Sequence, residues 1–184
     1  MSKKLFFGSN LKMYKNIKDT VSYLQDLESL TKDISRDEIE LFIIPSYTTL
    51  DSASKAIDQK NIRLGAQNMC WEEQGQFTGE ISPLMLQEAG IGLVMIGHSE
   101  RRHVFGETDI EENKKVLCAL EHGFKTSFMY RRDCRRKRIR HQRRSAPHTV
   151  KGRISWCICR RRQEHLGGIR TCMVHRSQRN SCFC

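Results

Sequence analysis

Residues Ile91 to Arg102 constrain the fold of this chain more than any other stretch. Leu93-Val94-Met95-Ile96 is an unbroken apolar run of strand length, the pattern of a strand buried on both faces, as in a parallel sheet. The run stops at Gly97, and His98-Ser99-Glu100-Arg101-Arg102 follows at once. An imidazole, a hydroxyl, a carboxylate and two guanidiniums thus sit where the strand ends. In α/β proteins the strands themselves are covered by helices, so chemistry is carried by the loops at their carboxyl ends.

The rest of the first two-thirds repeats this alternation. Lys4 to Met13 reads as a short strand running into a polar end. Asn16 is placed to cap a helix, with Asp19 in its first turn where the helix dipole favours an anion. Ile17, Val21, Leu24, Leu27 and Leu30 recur at helical spacing and predict an inward face. Ile39 to Ile44 is a second strand closed by Pro45, and Leu50, Ala53, Ala56 and Ile57 mark a second helix. Ile62 to Ala66 is a third strand, followed by a glycine-punctuated loop from Gln67 to Gly79. Ser82-Pro83 is a helix start and Gly90 a stop. A helix from about 109 to 122 follows, with Val116, Leu117 and Leu120 apolar, and Phe124-Lys125-Thr126 opens a fifth strand. About four β–α units with short loops imply a parallel sheet with helices outside. An eight-unit barrel needs about 250 residues. Periodicity alone therefore leaves half a barrel and a small doubly wound sheet both open.

Composition breaks near residue 126. Residues 1–126 carry 15 Lys and Arg against 19 Asp and Glu, with two cysteines. Residues 127–184 carry 17 against 2, with six cysteines, so the net charge of +11 belongs entirely to the tail. The opening Met1-Ser2-Lys3-Lys4 leads to an apolar run too short for a signal peptide. No run reaches the length of a membrane span, so a cytoplasmic protein with reduced thiols is expected.

Two motifs carry a family resemblance. His98 to Arg102 with the strand before it, and Gly75-Gln76-Phe77-Thr78-Gly79-Glu80-Ile81-Ser82-Pro83, closely resemble triosephosphate isomerase over residues 4–126. The resemblance implies the N-terminal half of a TIM (β/α)8 barrel over 1–126. Asn10 and Lys12 match the family's strand-one motif, which usually has Trp where Leu11 stands. It implies that Asn10 and Lys12 bind substrate, with Lys12 holding its phosphate and the negative charge developing on its oxygen. His98 matches the catalytic electrophile, a neutral imidazole donating a hydrogen bond to the substrate oxygens; this family is itself the usual illustration of such a histidine beside a helix N-terminus. Glu100 matches an acidic partner of the lysine, and Arg101 and Arg102 match structural charges of the same loop. Thr78 and Glu80 match the loop that braces a partner subunit, which implies a homodimer. The family reaction interconverts an aldose and a ketose phosphate through an enediolate, in glycolysis and gluconeogenesis, with no metal or coenzyme. A related isomerase for another sugar phosphate, such as erythrulose phosphate, is the alternative within the fold.

That reaction needs a carboxylate base to move a proton between adjacent carbons. In the family it lies in a later Tyr-Glu-Pro-Val-Trp motif, a string that residues 127–184 do not contain. Shifting the reading frame by one base restores it. Met129–Tyr130 forces cysteine and Met173–Val174 forces tryptophan, each at a motif position. With permitted codons, residues 168–176 become Ala-Tyr-Glu-Pro-Val-Trp-Ser-Ile-Gly, with the glutamate encoded across Arg170 and Thr171. The expectation is a frameshift near codons 126–127, a disordered basic tail over 127–184 that is not a domain, and an inactive, aggregation-prone product. The competing reading makes the tail a basic module. Its arginine runs at 135–138, 143–144 and 160–162 would bind nucleic acid nonspecifically through phosphates. Its Cys-x-Cys pairs (Cys157/Cys159, Cys182/Cys184) lack the spacing of structural zinc sites.

Overall fold

A computed structural model describes residues 4–130 and 170–174. The elements run β1 (Leu5–Asn10), α1 (Ile17–Leu30), β2 (Ile39–Ile44), α2 (Tyr47–Ala56), β3 (Ile62–Ala66), α3 (Pro83–Glu88), β4 (Leu93–Ile96), α4 (Ser99–His103), α5 (Asp109–Glu121), β5 (Lys125–Tyr130) and β6 (Arg170–Val174). Strand order follows chain order; β1 to β5 are parallel, and β6 pairs antiparallel with β5. Five parallel strands with alternating helices form a curled half-barrel, the N-terminal half of a TIM barrel.

Alternation along the strands divides the core in two. Leu41, Ile43, Leu64, Val94 and Ile96 join Leu24, Leu50, Ala53, Cys118 and Ala119 of the helices in the main cluster. Ile44, Leu93 and Met95, with Phe42 and Met129, pack on the opposite, inner face. Strand residues on both faces are buried, as the unbroken apolar run of β4 required.

The curl is visible in one ion cluster. Lys125 Nζ of β5 reaches both oxygens of Glu40 on β2, at 2.6 and 2.8 Å, and Arg63 Nε of β3 meets the same carboxylate at 2.6 Å. Two strands lie between β2 and β5, and in a flat sheet three strand spacings of ~4.8 Å would separate them by ~14 Å. Lysine and glutamate side chains close that gap because the sheet wraps around its inner face.

The helices start where the sequence indicates. Asn16 Oδ1 accepts from Asp19 N at 2.9 Å, and Ser82 Oγ accepts from Met85 N at 3.1 Å with Pro83 opening α3. Thr108 and Glu111 form a reciprocal capping box at α5, each satisfying a backbone N–H of the other. The inward faces differ from the predicted ones. On α1, Thr20 and Leu24 are buried while Ile17 and Leu30 are exposed, because the helix meets the sheet over its middle only. On α5 the buried positions are Glu112, Lys115, Cys118 and Ala119. That face carries two charges, which is why a search for apolar spacing settles on Val116, Leu117 and Leu120 instead.

Beyond residue 126, β5 continues through Tyr130, hydrogen-bonded alongside β4. Arg170–Val174, expected to belong to a disordered tail, is instead an antiparallel strand on β5. The remainder of the 127–184 tail, with its Cys-x-Cys pairs and arginine runs, lies outside the described residues. Among the described residues no helix is long and apolar enough to cross a membrane.

Candidate active site

The carboxyl ends of β1 and β4 bring Lys12 and the His98 segment together. Lys12 Nζ and Glu100 Oε1 are 2.5 Å apart, although 88 positions separate them in the chain. Both side chains are nearly half exposed. The Glu100 hydrogen bond and charge raise the Lys12 pKa above its ordinary value, so the ammonium stays charged. The Glu100 pKa is lowered, chiefly by the hydrogen bond from Lys12.

Lys12 is held by its backbone as well. Its φ of 52° is left-handed, a conformation a non-glycine residue keeps only where its surroundings enforce it. Asn10 Oδ1 accepts from Lys12 N at 2.8 Å, and Gln67 Nε2 donates to Lys12 O at 2.7 Å. Asn10 is thus a brace at the end of β1. Gln67, just past β3, is a residue that sequence reasoning missed, since it appeared only as the first residue of a loop.

His98 is the N-cap of α4. Its Nδ1 accepts a hydrogen bond from Glu100 N at 3.2 Å. With Nδ1 accepting in this way, Nε2 is the ring position left to donate. Nδ1 also lies 3.5 Å from Glu100 Oε2, a contact that would count as an ion pair only for a protonated ring. The side chain is mostly enclosed, at 12% exposure, and its Nε2–H is left as the donor.

The remaining predicted residues lie elsewhere. Arg101 turns to Glu107, at 3.4 Å, and stacks over Phe105. Behind it, Lys115 pairs with Glu107 and donates to Asn68 Oδ1 at 3.2 Å in a buried cluster. Thr78 and Glu80 are exposed in the loop after β3, and Glu80 lines the cavity between that loop and Arg101. A cavity of about 160 Å³ opens between that loop and the Arg101–Glu107 segment, lined by Trp71, Phe77, Arg101 and Lys115 among others. Among the described residues no cluster of His, Cys, Asp or Glu is arranged to hold a metal ion.

A parallel half-barrel with alternating helices, in which Glu100 links Lys12 and His98 at the carboxyl-end rim, defines the class: a (β/α) barrel. The comparisons make it specific. The sequence model of the family described as triosephosphate isomerase matches residues 5–129, and this chain belongs to that family. The triosephosphate isomerase of Thermoanaerobacter pseudethanolicus is 49% identical over 116 residues, 63% of this chain and 46% of the relative. That of Caldanaerobacter subterraneus subsp. tengcongensis is 48% identical over 118 residues, 64% of this chain and 46% of the relative. That of Clostridium botulinum (strain Loch Maree) is 47% identical over 115 residues, covering 62% and 45%. The chain thus spans about half the length of the relatives it matches.

Proposed function

We propose that the rim formed by Asn10, Lys12, His98 and Glu100 is the electrophilic half of a triose-phosphate isomerase site, for dihydroxyacetone phosphate and glyceraldehyde 3-phosphate. The observation that carries this reading is that Glu100 ties Lys12 and His98 together at the ends of β1 and β4, its carboxylate taking Lys12 Nζ and its N–H donating to His98 Nδ1. A fixed ammonium supplies charge where an enediolate develops, and a neutral imidazole can hydrogen-bond the carbonyl without donating its proton outright. The Glu100 carboxylate keeps Lys12 charged and posted at the rim until a substrate anion draws it away. No metal or coenzyme enters this scheme.

Proton transfer between the two carbons requires a carboxylate base, and residues 127–184 as written hold no Tyr-Glu-Pro-Val-Trp string. The one described strand from that region, β6, runs antiparallel to β5. A barrel closed by crossover helices needs a parallel neighbour there, so β6 does not stand in for the next barrel strand. We therefore read the gene as an isomerase gene shifted by one base near codons 126–127, and the chain as unable to turn over triose phosphates. The intact product would be a homodimer in which the Thr78 loop braces the partner subunit.

Two proteins test this: the 184-residue chain and the product of the frame-restored gene. The chain should give no isomerisation above the uncatalysed background. The restored product should interconvert the triose phosphates and lose that activity on Lys12→Ala. Turnover by the chain itself, or an inactive restored protein, overturns the reading. A restored enzyme that prefers a tetrulose phosphate moves it to the sister substrate.

A further inference from the structure

The charged groups behind His98 are as informative as those in front of it. Arg102 gathers four partners with one guanidinium. Its Nε donates to Gly97 O at 3.1 Å, Nη1 pairs with Asp109 Oδ1 at 2.5 Å, and Nη2 meets both Glu112 Oε2 and, at 3.4 Å, Met129 O. The ends of β4 and β5 and the first turn of α5 are thereby fastened to α4. Gly97, the residue before His98, presses directly on this cluster. A Cβ built there would lie 2.5 Å from Met129 O, 3.1 Å from Glu112 Oε2 and 3.2 Å from Arg102 Nη2, and its φ of +79° suits glycine alone. Any movement of the Arg102–Glu112 pair is therefore felt by the peptide that carries the imidazole.

Glu112 is the unusual member. Its side chain is 1% exposed, and while Oε2 meets Arg102, Oε1 has no hydrogen-bond partner. A carboxylate on a buried helix face with one oxygen unsatisfied costs stability, so its presence calls for a role. We propose that Glu112 is a positioning residue for His98, holding Arg102 on the Gly97 carbonyl so that the seat of the imidazole depends on whether Glu112 is ionised.

The surroundings put that change near neutrality. Burial pushes the Glu112 carboxyl up to about 7; Arg102 on α4 opposes the rise, while Glu107 of the preceding loop and Asp109 on its own helix add to it. The Met129 carbonyl of β5 meets the same Arg102 Nη2, and Lys115, one turn along α5, is engaged with Glu107. Above neutrality the ionised Glu112 locks Arg102 in place. Below it the neutral acid leaves the exposed Asp109 as the nearest anion of Arg102, and the guanidinium is freer to leave Gly97.

The proposal rests on His98 being part of the isomerase site, but its test needs no substrate. Hydrogen exchange is followed by mass spectrometry on the full chain, for peptides covering 97–104 and, as a reference, 39–66, with intrinsic rates removed. The Glu100 amide bonded to His98 Nδ1 lies in the first peptide. Wild type should lose protection there roughly tenfold from pH 8 to pH 6, as the ionised fraction drops from ~90% to ~10%. Glu112→Gln should abolish that dependence, and Asp109→Asn should keep it. A flat wild-type profile, a profile that survives Glu112→Gln, or one lost on Asp109→Asn would each overturn the proposal. If Glu112→Gln fails to fold, shown by loss of protection in 39–66, the wild-type midpoint and the Asp109→Asn profile decide. None of these results bears on turnover by the frame-restored enzyme, so the two readings fail separately.

Discussion

β1 and β4 carry Lys12 and His98, the two ends of the proposed electrophilic rim, and are built in opposite ways. β4 is four residues, all buried, with neighbours on both sides and α5 across its outer face. β1 is six residues, none fully buried, with β2 as its only strand neighbour among the described residues. Leu5 and Phe7 are 61% and 72% exposed, and Met13 and Tyr14 beyond them are more so. The seat of His98 is therefore complete within these residues. The seat of Lys12 hangs from a sheet edge, and its brace comes from polar hooks, Asn10 and Gln67, rather than from packing. In a protein that spans half of its relatives' length, the central strand keeps its surroundings and the terminal one does not.

The strongest way to break the comparison is a truncation in β4. Ile96→Ala removes a fully buried side chain of the main cluster and should cost ~2–5 kcal/mol, the range for large-to-small changes in a core. The urea midpoint of soluble full-length chain measures it. A loss under ~1 kcal/mol would mean that β4 is not packed as tightly as its burial states.

Next in size is the ion cluster on the inner face. Glu40→Gln strands Arg63 and Lys125 facing a neutral amide, on a side chain only 11% exposed. The expected cost is ~2 kcal/mol, between the values for exposed and fully buried pairs. The same group sets a pH dependence. Hydrogen bonds from Lys125 and Arg63 hold the Glu40 carboxyl below its ordinary 4.5, against the opposing effect of burial. The unfolded chain thus takes up the proton first, so this contribution is full above pH ~4.5 and is lost as pH falls through the lower, folded value. Acid titration of the urea midpoint should show that slope in wild type and lose part of it in Glu40→Gln. Glu112 has the opposite sign: its raised pKa makes stability fall as pH climbs from the ordinary 4.5 to about 7.

A smaller effect belongs to a helix end. Thr108→Ala removes the side-chain half of the α5 capping box and should cost ~1 kcal/mol in the same assay. That box is written locally in Thr108-Asp109-Ile110-Glu111, a threonine three residues before a glutamate. What the sequence did expose was period and punctuation: the apolar run of β4, Asn16, Ser82-Pro83 and the glycines after helices. Lys12 and His98 were legible because each follows a strand end in a recognisable motif. Gln67, Glu112 and the inner ion cluster were not. Their significance comes from pairings across the curled sheet or against a helix face, and no local spacing encodes those. β6 was unreadable for a related reason, since its pairing with β5 is a long-range event without an apolar pattern of its own.

The smallest effect closes the comparison from the β1 side. Phe7→Ser changes a large aromatic residue in the middle of a strand, and in β4 such a change would be ruinous. On β1 the ring is already 72% exposed, so little apolar surface returns to water on unfolding and the urea midpoint should move by no more than ~0.5 kcal/mol. Self-association should respond more. An uncharged edge strand with exposed aromatics is a template for pairing with another chain, and Phe7→Ser should raise the soluble fraction on expression and the monomer fraction in sedimentation. A loss of 2 kcal/mol or more would show that the outer face of β1 is packed after all. The asymmetry between the two strands would then be an asymmetry of sequence only, and Lys12 would sit on as firm a seat as His98.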